Sequence, residues 1–244
     1  MTGRWRALLR LFTLQGSWNY ERMQGVGMGY AAEPVLNELK SSDPARHAEA
    51  VVRSAEFFNG HPYLAGLALG ALVRAEYEGV PGPQILRLRT ALCSPLGALG
   101  DQFFWAGLLP TLIGVTLVAI TRGAGGWAVA SFLTVYNGCR LGTAIWGLRT
   151  GLASGVQVGV TIADSWLPRA VERIGPAAGF AVGLAIPLVA AWYLHGAGVP
   201  GITGTIALAG TGLLISQRFG AVASPLRFAF GAVGLALLLC GGLG

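Results

Sequence analysis

Charged side chains are scarce in this sequence. Only 11% of its 244 residues are Asp, Glu, Lys or Arg, whereas soluble globular domains carry about 25%. Hydrophobic residues make up 53% of the chain, and the mean hydropathy is +0.59. The low charge argues against a soluble globular protein, and the hydrophobic content predicts that lipid is its main solvent.

Features of several other protein classes are also missing. The cysteines Cys93, Cys139 and Cys240 are too far apart for a disulfide framework or a zinc knuckle, so we interpret them as small apolar side chains. The excess of basic residues forms no stripe with interleaved aromatic residues, which argues against nucleic-acid binding. No nucleophile with a base, carboxylate pair or metal-ligand cluster is evident. We therefore expect no catalytic site, no metal and no cofactor.

Five apolar stretches are candidates for membrane-spanning helices, because a helix needs about 20 apolar residues to cross roughly 30 Å of hydrocarbon. They are residues 103–121, 127–148, 177–199, 201–215 and 226–243, and the fourth is short. Glycines recur at helical spacing within the later stretches, at Gly179 and Gly183 and at Gly204 and Gly210. Such small residues favour close approach between helices in a bilayer.

The basic residues predict an orientation in the membrane. They cluster before the first span, between the second and third, and between the fourth and fifth: Arg87, Arg89, Arg149, Arg169, Arg173, Arg218 and Arg227. Five spans place all of these loops on one side, which the positive-inside rule makes cytoplasmic. The first 30 residues lack the apolar segment and cleavage site of a signal peptide. We expect a cytoplasmic amino terminus and an external carboxyl terminus.

The first hundred residues have a different character. They mix charge with helical apolar periodicity, and the apolar run 63–73 is too short to span, so it would lie in the interface, enter the bilayer partway or cover another subunit. Pro95, Gly97 and Gly100 precede Asp101 and predict a re-entrant turn. The sequence thus predicts an all-α integral membrane protein, with amphipathic and re-entrant helices in residues 1–100 and about five transmembrane helices in residues 101–244.

The octad SWNYERMQ, residues 17–24, is unusually polar and aromatic for such a chain. On a helix, Trp18, Glu21 and Gly25 would share one face and present a ring, a carboxylate and bare backbone. A sugar can lie on an aromatic ring while fixed polar groups bind its hydroxyls. Alternatively, Trp18 and Tyr20 anchor the chain at the membrane interface, and Glu21 and Arg22 form ion pairs with other helices.

Several motifs together resemble a known family. The runs FTLQGSWNYERMQGVGMGY, FFNGHP, GALVRAE and PLGALGDQFFW, followed by Arg140, occur in the order found in the IID membrane subunit of the mannose/fructose/sorbose family of the bacterial phosphoenolpyruvate-dependent sugar phosphotransferase system. The resemblance covers about residues 12–150, and the octad is its most specific element. The remaining part of the chain resembles the family only in hydrophobic profile.

The resemblance implies a sugar permease subunit of the bacterial inner membrane. In that family a IID chain pairs with a IIC chain, commonly as a trimer of pairs, and the two bind and translocate a hexose-type sugar. Soluble IIA and IIB components phosphorylate the sugar on the cytoplasmic side, so this chain would not itself be an enzyme. The alternative is a non-transporting sensor or assembly subunit that regulates phosphotransferase partners.

The motifs supply the candidate substrate-binding or pore-lining residues. These are Trp18, Asn19, Glu21, Gln24, Asn59, Asp101 and Arg140. Asn59 is either a pore-lining amide or a helix cap, and Asp101 either caps the following span or accepts sugar hydroxyls. Arg140 is costly inside a span unless it faces a cavity or a carboxylate, and it is the strongest candidate for a buried functional charge.

Other positions have two interpretations or depart from the family. Glu76 either pairs near Arg74 at the surface or has an internal role, and we interpret His61 as structural or solvated. Leu109 and Ala144 stand where the family usually has arginines. A hydrophilic path would use such charges, so their loss keeps the sensor alternative open.

Overall fold

The computed structural model describes residues 2–194 and is all-helical over that range, without named strands. The helices are α1 (Arg4–Leu11), α2 (Gly25–Leu36), α3 (Leu39–Ser42), α4 (Pro44–Ser54), α5 (Ala65–Tyr77), α6 (Gly82–Gly100), α7 (Leu109–Thr121), α8 (Gly125–Ser154), α9 (Val158–Ala163) and α10 (Trp166–Leu194). Short 3-10 turns cover Leu14–Ser17 and Gly155–Gln157, and a π-helical segment covers Asp101–Leu108. The predicted all-α class is confirmed.

The chain divides into two compact units, 1–185 and 186–244. The first unit contains the site described below. In the second, the described residues are 186–194, and all of them are helical.

Within residues 2–194, two helical runs are long and apolar enough to cross a membrane, Gly82–Thr121 and Gly125–Trp192. Only 22% and 18% of their most apolar windows are buried inside the protein, so most of that apolar surface faces outward, as lipid-facing helices require. The predicted spans 103–121 and 127–148 fall within these runs. The third predicted span is helical as far as residue 194, and the spans 201–215 and 226–243 lie outside the described residues. The number of spans therefore stays a prediction.

Helix α5, which contains most of the short apolar run, is the central core helix. Every residue from 65 to 73 is buried, so the predictions that the apolar surface of this run lies in the membrane interface or covers another subunit were wrong, and partial entry into the bilayer stays a prediction. The apolar surface of the run is covered by this chain's own helices. It packs most extensively on α8.

Glycines make the contact between α5 and α8 close. A Cβ atom at Gly70 would lie 2.5 Å from the Leu152 nitrogen, and one at Gly151 would overlap the Leu67 carbonyl oxygen. Among the described residues, no atom lies within 4 Å of a Cβ placed at Gly179 or Gly183, the glycines predicted to mediate packing, so close helix packing at this pair stays a prediction. Gly204 and Gly210 lie outside the described residues.

The predicted re-entrant turn at residues 94–105 is also wrong. Helix α6 continues through Pro95 and Gly97, and the π-helical segment leads into α7 without a break. One proline and two glycines cost the helix about 5 kcal/mol, and burial of Leu92 and Leu96 on the core side of α6 offsets that cost. The π-helical segment ends at Leu108, just before Pro110, because proline has no N–H to make the next π-helical hydrogen bond.

Candidate functional site

The octad forms a tight loop instead of a helix. Asn19 and Met23 exchange backbone hydrogen bonds of 3.2 and 2.8 Å, and Met23 has a positive φ of 51°. The Asn19 Oδ1 atom accepts hydrogen bonds from the backbone N–H groups of Glu21 and Arg22, at 3.1 and 2.8 Å. Such local side-chain bonds compete with helix formation. The prediction that Trp18 and Glu21 share a helix face with residue 25 was therefore wrong.

This loop is joined directly to the second motif, FFNGHP. The Phe58 N–H donates to the Arg22 carbonyl at 3.3 Å, and the Gln24 N–H donates to the Phe58 carbonyl at 2.9 Å. The Gln24 side chain is 4% exposed, and its Nε2 donates to the Gly60 carbonyl at 2.9 Å. Two stretches more than thirty residues apart in sequence thus form one unit. The Asn19 side chain stabilises the octad loop, and the Gln24 side chain connects it to the second motif.

The second motif in turn packs on the motif PLGALGDQFFW. His61 is 1% exposed and contacts Gly100, and its ring stacks on Phe104 with centroids 5.2 Å apart and planes 8° apart. Its Nδ1 accepts a hydrogen bond from the Tyr63 N–H at 3.3 Å. Burial lowers the pKa of His61 to about 4, so the ring is neutral near pH 7. The structural interpretation of His61 is confirmed, and the solvated one was wrong.

Arg140 faces a cavity of about 160 Å³. Its guanidinium lies over the rings of Tyr63 and Phe12, at 4.7 and 5.1 Å from their centroids, which are cation–π contacts. Its Nε is buried without a hydrogen-bond partner, and within residues 2–194 it has no carboxylate partner. The sequence predicted that Arg140 faces either a cavity or a carboxylate, and in the structure it faces a cavity.

The cavity is built from residues of the first two motifs, the start of α5 and the middle of α8. Its lining consists of Leu11, Phe12, Leu14, Gln15, Pro62, Tyr63, Gly66, Arg140 and Ala144. Aromatic rings, a guanidinium and an amide therefore converge on one small space. The position where the family usually has a second arginine, Ala144, is in the same wall.

Four predicted site residues lie on the surface. Trp18 is 45% exposed, with its ring 4.8 Å from that of Tyr20, and Glu21, Asn59 and Asp101 are also exposed. Glu21 approaches its neighbour Arg22 at 3.8 Å, so within the described residues neither pairs with another helix as the alternative interpretation proposed.

The helix-cap interpretations of Asn59 and Asp101 were wrong. Helix α5 begins at Ala65, after Leu64, and no side chain caps it. Asp101 lies within a continuous helical run, where no free helix terminus exists to be capped. In the described part of the chain, the Asp101 carboxylate has no partner.

Buried arginine–carboxylate contacts hold the helices that support the site. Glu76 is 3% exposed, and its carboxylate binds Arg53 through two hydrogen bonds of 2.8 and 2.9 Å and Arg46 at 3.1 Å. The hydrogen bonds to Glu76 raise the pKa of Arg53. The internal interpretation of Glu76 is confirmed, since Arg74 pairs with Glu78 instead, at 2.6 Å. This network fixes α4 to α5.

Sequence reasoning missed the role of Arg89, which it used only as a basic loop residue. Arg89 is 3% exposed and donates to the carbonyls of Ser54, Glu56 and Phe57 at 2.9, 2.6 and 3.0 Å. It thereby ties α6 to the segment that leads into FFNGHP. The available signal was an arginine between the apolar residues Leu88 and Leu92, similar to the setting of Arg140.

The described residues contain no group of three His, Cys, Asp or Glu side chains that could hold a metal ion. Cys93 and Cys139 are free thiols. The polar groups available at the site are therefore donors and acceptors for hydrogen bonds, together with one guanidinium.

Comparisons with known proteins agree with the motifs. The family described as "PTS system mannose/fructose/sorbose family IID component" matches residues 2–190. The mannose-specific EIID component of Escherichia coli (strain K12) is 27% identical over 169 residues, which cover 67% of this chain and 59% of that protein. The fructose permease IID component of Bacillus subtilis (strain 168) is 30% identical over 166 residues, 65% of this chain and 59% of that protein. The chain thus spans about three fifths of the length of these relatives.

Two further similarities extend the comparison. The sorbose-specific EIID component of Klebsiella pneumoniae is 27% identical over 191 residues, covering 75% of this chain and 67% of that protein. A chain of the cryo-EM structure of the mannose transporter ManYZ in complex with microcin E492 has a TM-score of 0.55, and a chain described only as a membrane protein has 0.70. Both are 22% identical and cover 99% of this chain, and 97% of their own length is covered, so they share its fold. The chain belongs to the mannose/fructose/sorbose family of phosphotransferase-system IID components.

Proposed function

We propose that this chain pairs with a IIC subunit to form a membrane conduit for a hexose-type sugar, which soluble IIA and IIB components phosphorylate. The observation that carries the proposal is the convergence of motifs. Hydrogen bonds and ring contacts join the octad, FFNGHP and PLGALGDQFFW into one cluster beside the Arg140 cavity. In this proposal the partner components carry the phosphoryl group.

The cavity has the chemistry that a sugar requires. The rings of Phe12 and Tyr63 offer apolar faces, and Arg140 and the amide of Gln15 offer hydrogen bonds to hydroxyls. Arg140 already contacts both rings, so its position is fixed before a sugar arrives. A guanidinium that donates to hydroxyls would also satisfy the buried Nε.

The exposed residues mark where we expect the IIC subunit to bind. Trp18, Glu21, Asn59 and Asp101 lie on the surface of the motif cluster and its flanking helix. Asp101 lies within an apolar helical run, where a charge is costly unless it meets water, a partner or substrate. A IIC subunit bound at this surface would enclose a water-filled path and provide contacts for the Asp101 carboxylate.

The membrane arrangement is part of the proposal. By the positive-inside rule the amino terminus is cytoplasmic, and by family resemblance the complex is a trimer of IIC and IID pairs in the bacterial inner membrane. Residues 1–100 would then contain the motif region and residues 101–244 the transmembrane helices.

One observation favours a second candidate function, a sensor or assembly subunit without transport. Ala144 lines the Arg140 cavity where the family usually has another arginine, so the path has lost a donor. Such a chain would keep its packing and its partner while it no longer moves sugar.

Co-expression with IIC, IIA and IIB partners tests the two candidates. We expect phosphoenolpyruvate-dependent accumulation of phosphorylated mannose, fructose or glucose by cells or vesicles that contain all four components. Omission of this chain is the control, and co-purification with IIC reports assembly. A stably assembled complex that accumulates none of these sugars would contradict transport and support the sensor.

A further inference from the structure

We propose that the groove between α1 and α8 binds an anionic phospholipid, whose phosphate lies between Arg4 and Arg149. The groove, called here the α1–α8 groove, has a volume of about 160 Å³. These two arginines are the polar residues of its lining, and the rest is Trp5, Leu8, Ile145, Leu148 and Leu152. This site is separate from the Arg140 cavity and does not depend on sugar transport.

The apolar wall of the groove follows one face of α8. Ile145, Leu148 and Leu152 are spaced three and four residues apart, so they form a continuous stripe. Leu8 and Trp5 of α1 face this stripe across the groove. Leu148 and Leu152 are buried, so the surface open to an acyl chain consists of Ile145 and the exposed Trp5 ring. Within the described residues, α8 belongs to one of the two helical runs that are long and apolar enough to cross a membrane.

The arginines of the groove have no counter-charge. Arg4 and Arg149 are exposed, and neither makes a side-chain hydrogen bond or ion pair with any of residues 2–194. In contrast, Arg10 on the same helix binds Glu33 at 2.6 Å. No acidic residue lines the groove. An arginine fork matches phosphate geometry, so the groove is complementary to an anion.

The exposed face of α1 places the groove at headgroup depth. Ala7, Leu8 and Leu11 point into the protein, while Trp5 and Leu9 are 65% and 66% exposed. A helix that exposes a tryptophan and a leucine beside arginines is typical of the membrane interface. A free anion would satisfy the arginines but leave the exposed Trp5 ring in water, whereas a phospholipid would satisfy the arginines and cover this ring as well. Basic pockets beside transmembrane helices bind such headgroups.

Native mass spectrometry of the full chain, co-purified with its IIC partner, tests the proposal. The complex is titrated with phosphatidylglycerol and with phosphatidylcholine of the same acyl chains. We expect selective retention of phosphatidylglycerol, and a loss of roughly 25-fold in the Arg4→Gln/Arg149→Gln variant, because each arginine near an anionic headgroup contributes about fivefold. The matched control is Arg87→Gln/Arg122→Gln, which removes the same charge from two exposed arginines outside the groove.

Four results would overturn the proposal. Equal retention of the two lipids, or an equal loss in the control variant, would show that no specific site exists. Displacement of phosphatidylglycerol by inorganic phosphate at comparable concentration would indicate a site for small anions. A photo-reactive amino acid at the exposed position Trp5 should crosslink to lipid, and crosslinks to a IIC polypeptide instead would show that protein covers the groove. Thermal melting of each variant confirms that it is folded, and none of these readouts requires sugar uptake.

Discussion

His61 lies directly against Gly100, so closely that a Cβ atom at Gly100 would overlap the Cβ and Cγ atoms of the histidine. The contact joins the second motif to the end of α6, because only a residue without a side chain lets the ring reach its stacking position on Phe104. Close packing of the two motifs therefore requires glycine at position 100.

Substitution Gly100→Ala should therefore destabilise the protein by about 1–3 kcal/mol, the range for forcing an extra methyl group into a packed core. Gly97→Ala in the same helix is the matched control, because a Cβ there meets nothing within 4 Å and alanine favours the helix by up to about 1 kcal/mol. The free energy of unfolding is measured by titrating SDS into dodecyl maltoside micelles. Equal effects of the two substitutions would show that the His61 contact does not restrict position 100.

The buried histidine also predicts a dependence on pH. Burial lowers the pKa of His61 from 6.5 to about 4, so between these values the unfolded chain binds more protons than the folded one. Its contribution to stability is complete above about pH 6.5 and is lost as the pH falls toward 4.

The variant His61→Asn isolates this effect, because its amide oxygen can replace Nδ1 as the acceptor for the Tyr63 N–H. We expect the variant to be less stable at pH 7 but to lack the fall in stability between pH 6.5 and 4 that His61 causes. An unchanged slope in this range would assign the pH dependence to other groups.

The network around Glu76 should make that residue far more sensitive than its neighbour Glu78. Glu76→Gln leaves Arg46 and Arg53 without their buried carboxylate, and such a loss typically costs about 3–5 kcal/mol. Glu78→Gln breaks only the partly exposed pair with Arg74, for which we expect less than about 1 kcal/mol. The same SDS titration compares the two variants, and similar losses would contradict the structural role of Glu76.

Arg140 is the residue on which the proposed transport function depends most directly. We expect Arg140→Leu to insert into the membrane and to abolish uptake or assembly with IIC, because the cavity loses the one guanidinium that the described residues place in its lining. Arg140→Lys keeps the charge and the cation–π contacts but loses the planar fork, so it should retain partial activity. Arg87→Gln, on the exposed surface of α6, is the control. Full uptake by Arg140→Leu would show that the charge is incidental.

The sequence predicted features that follow from average composition and from isolated charges. Low charge and long apolar runs indicated an all-helical membrane protein, and the high cost of a charge inside a span indicated that Arg140 faces a cavity. These inferences need no knowledge of which helices touch. The family followed from the octad because its combination of residues is specific.

The errors arose where local hydrogen bonds or tertiary packing decide the outcome. The Asn19 side chain binds the next backbone N–H groups and turns the octad into a loop, although its spacing fits a helix. Burial of Leu92 and Leu96 carries α6 past Pro95. The close approach of α5 to α8 depends on Gly70 and Gly151, and one sequence does not show which of its many glycines face each other.

The three carbonyl groups gathered by Arg89 have a mechanical consequence. Hydrogen bonds to a charged group contribute about 1.5–3 kcal/mol each, so separating α6 from residues 54–57 would strand a guanidinium in the interior. Backbone hydrogen bonds of Phe58, the residue that follows this segment, connect it to the octad. If the chain transports sugar as proposed, any tilting of α6 carries the octad loop and FFNGHP with it as one rigid body, and the hinges lie at other residues.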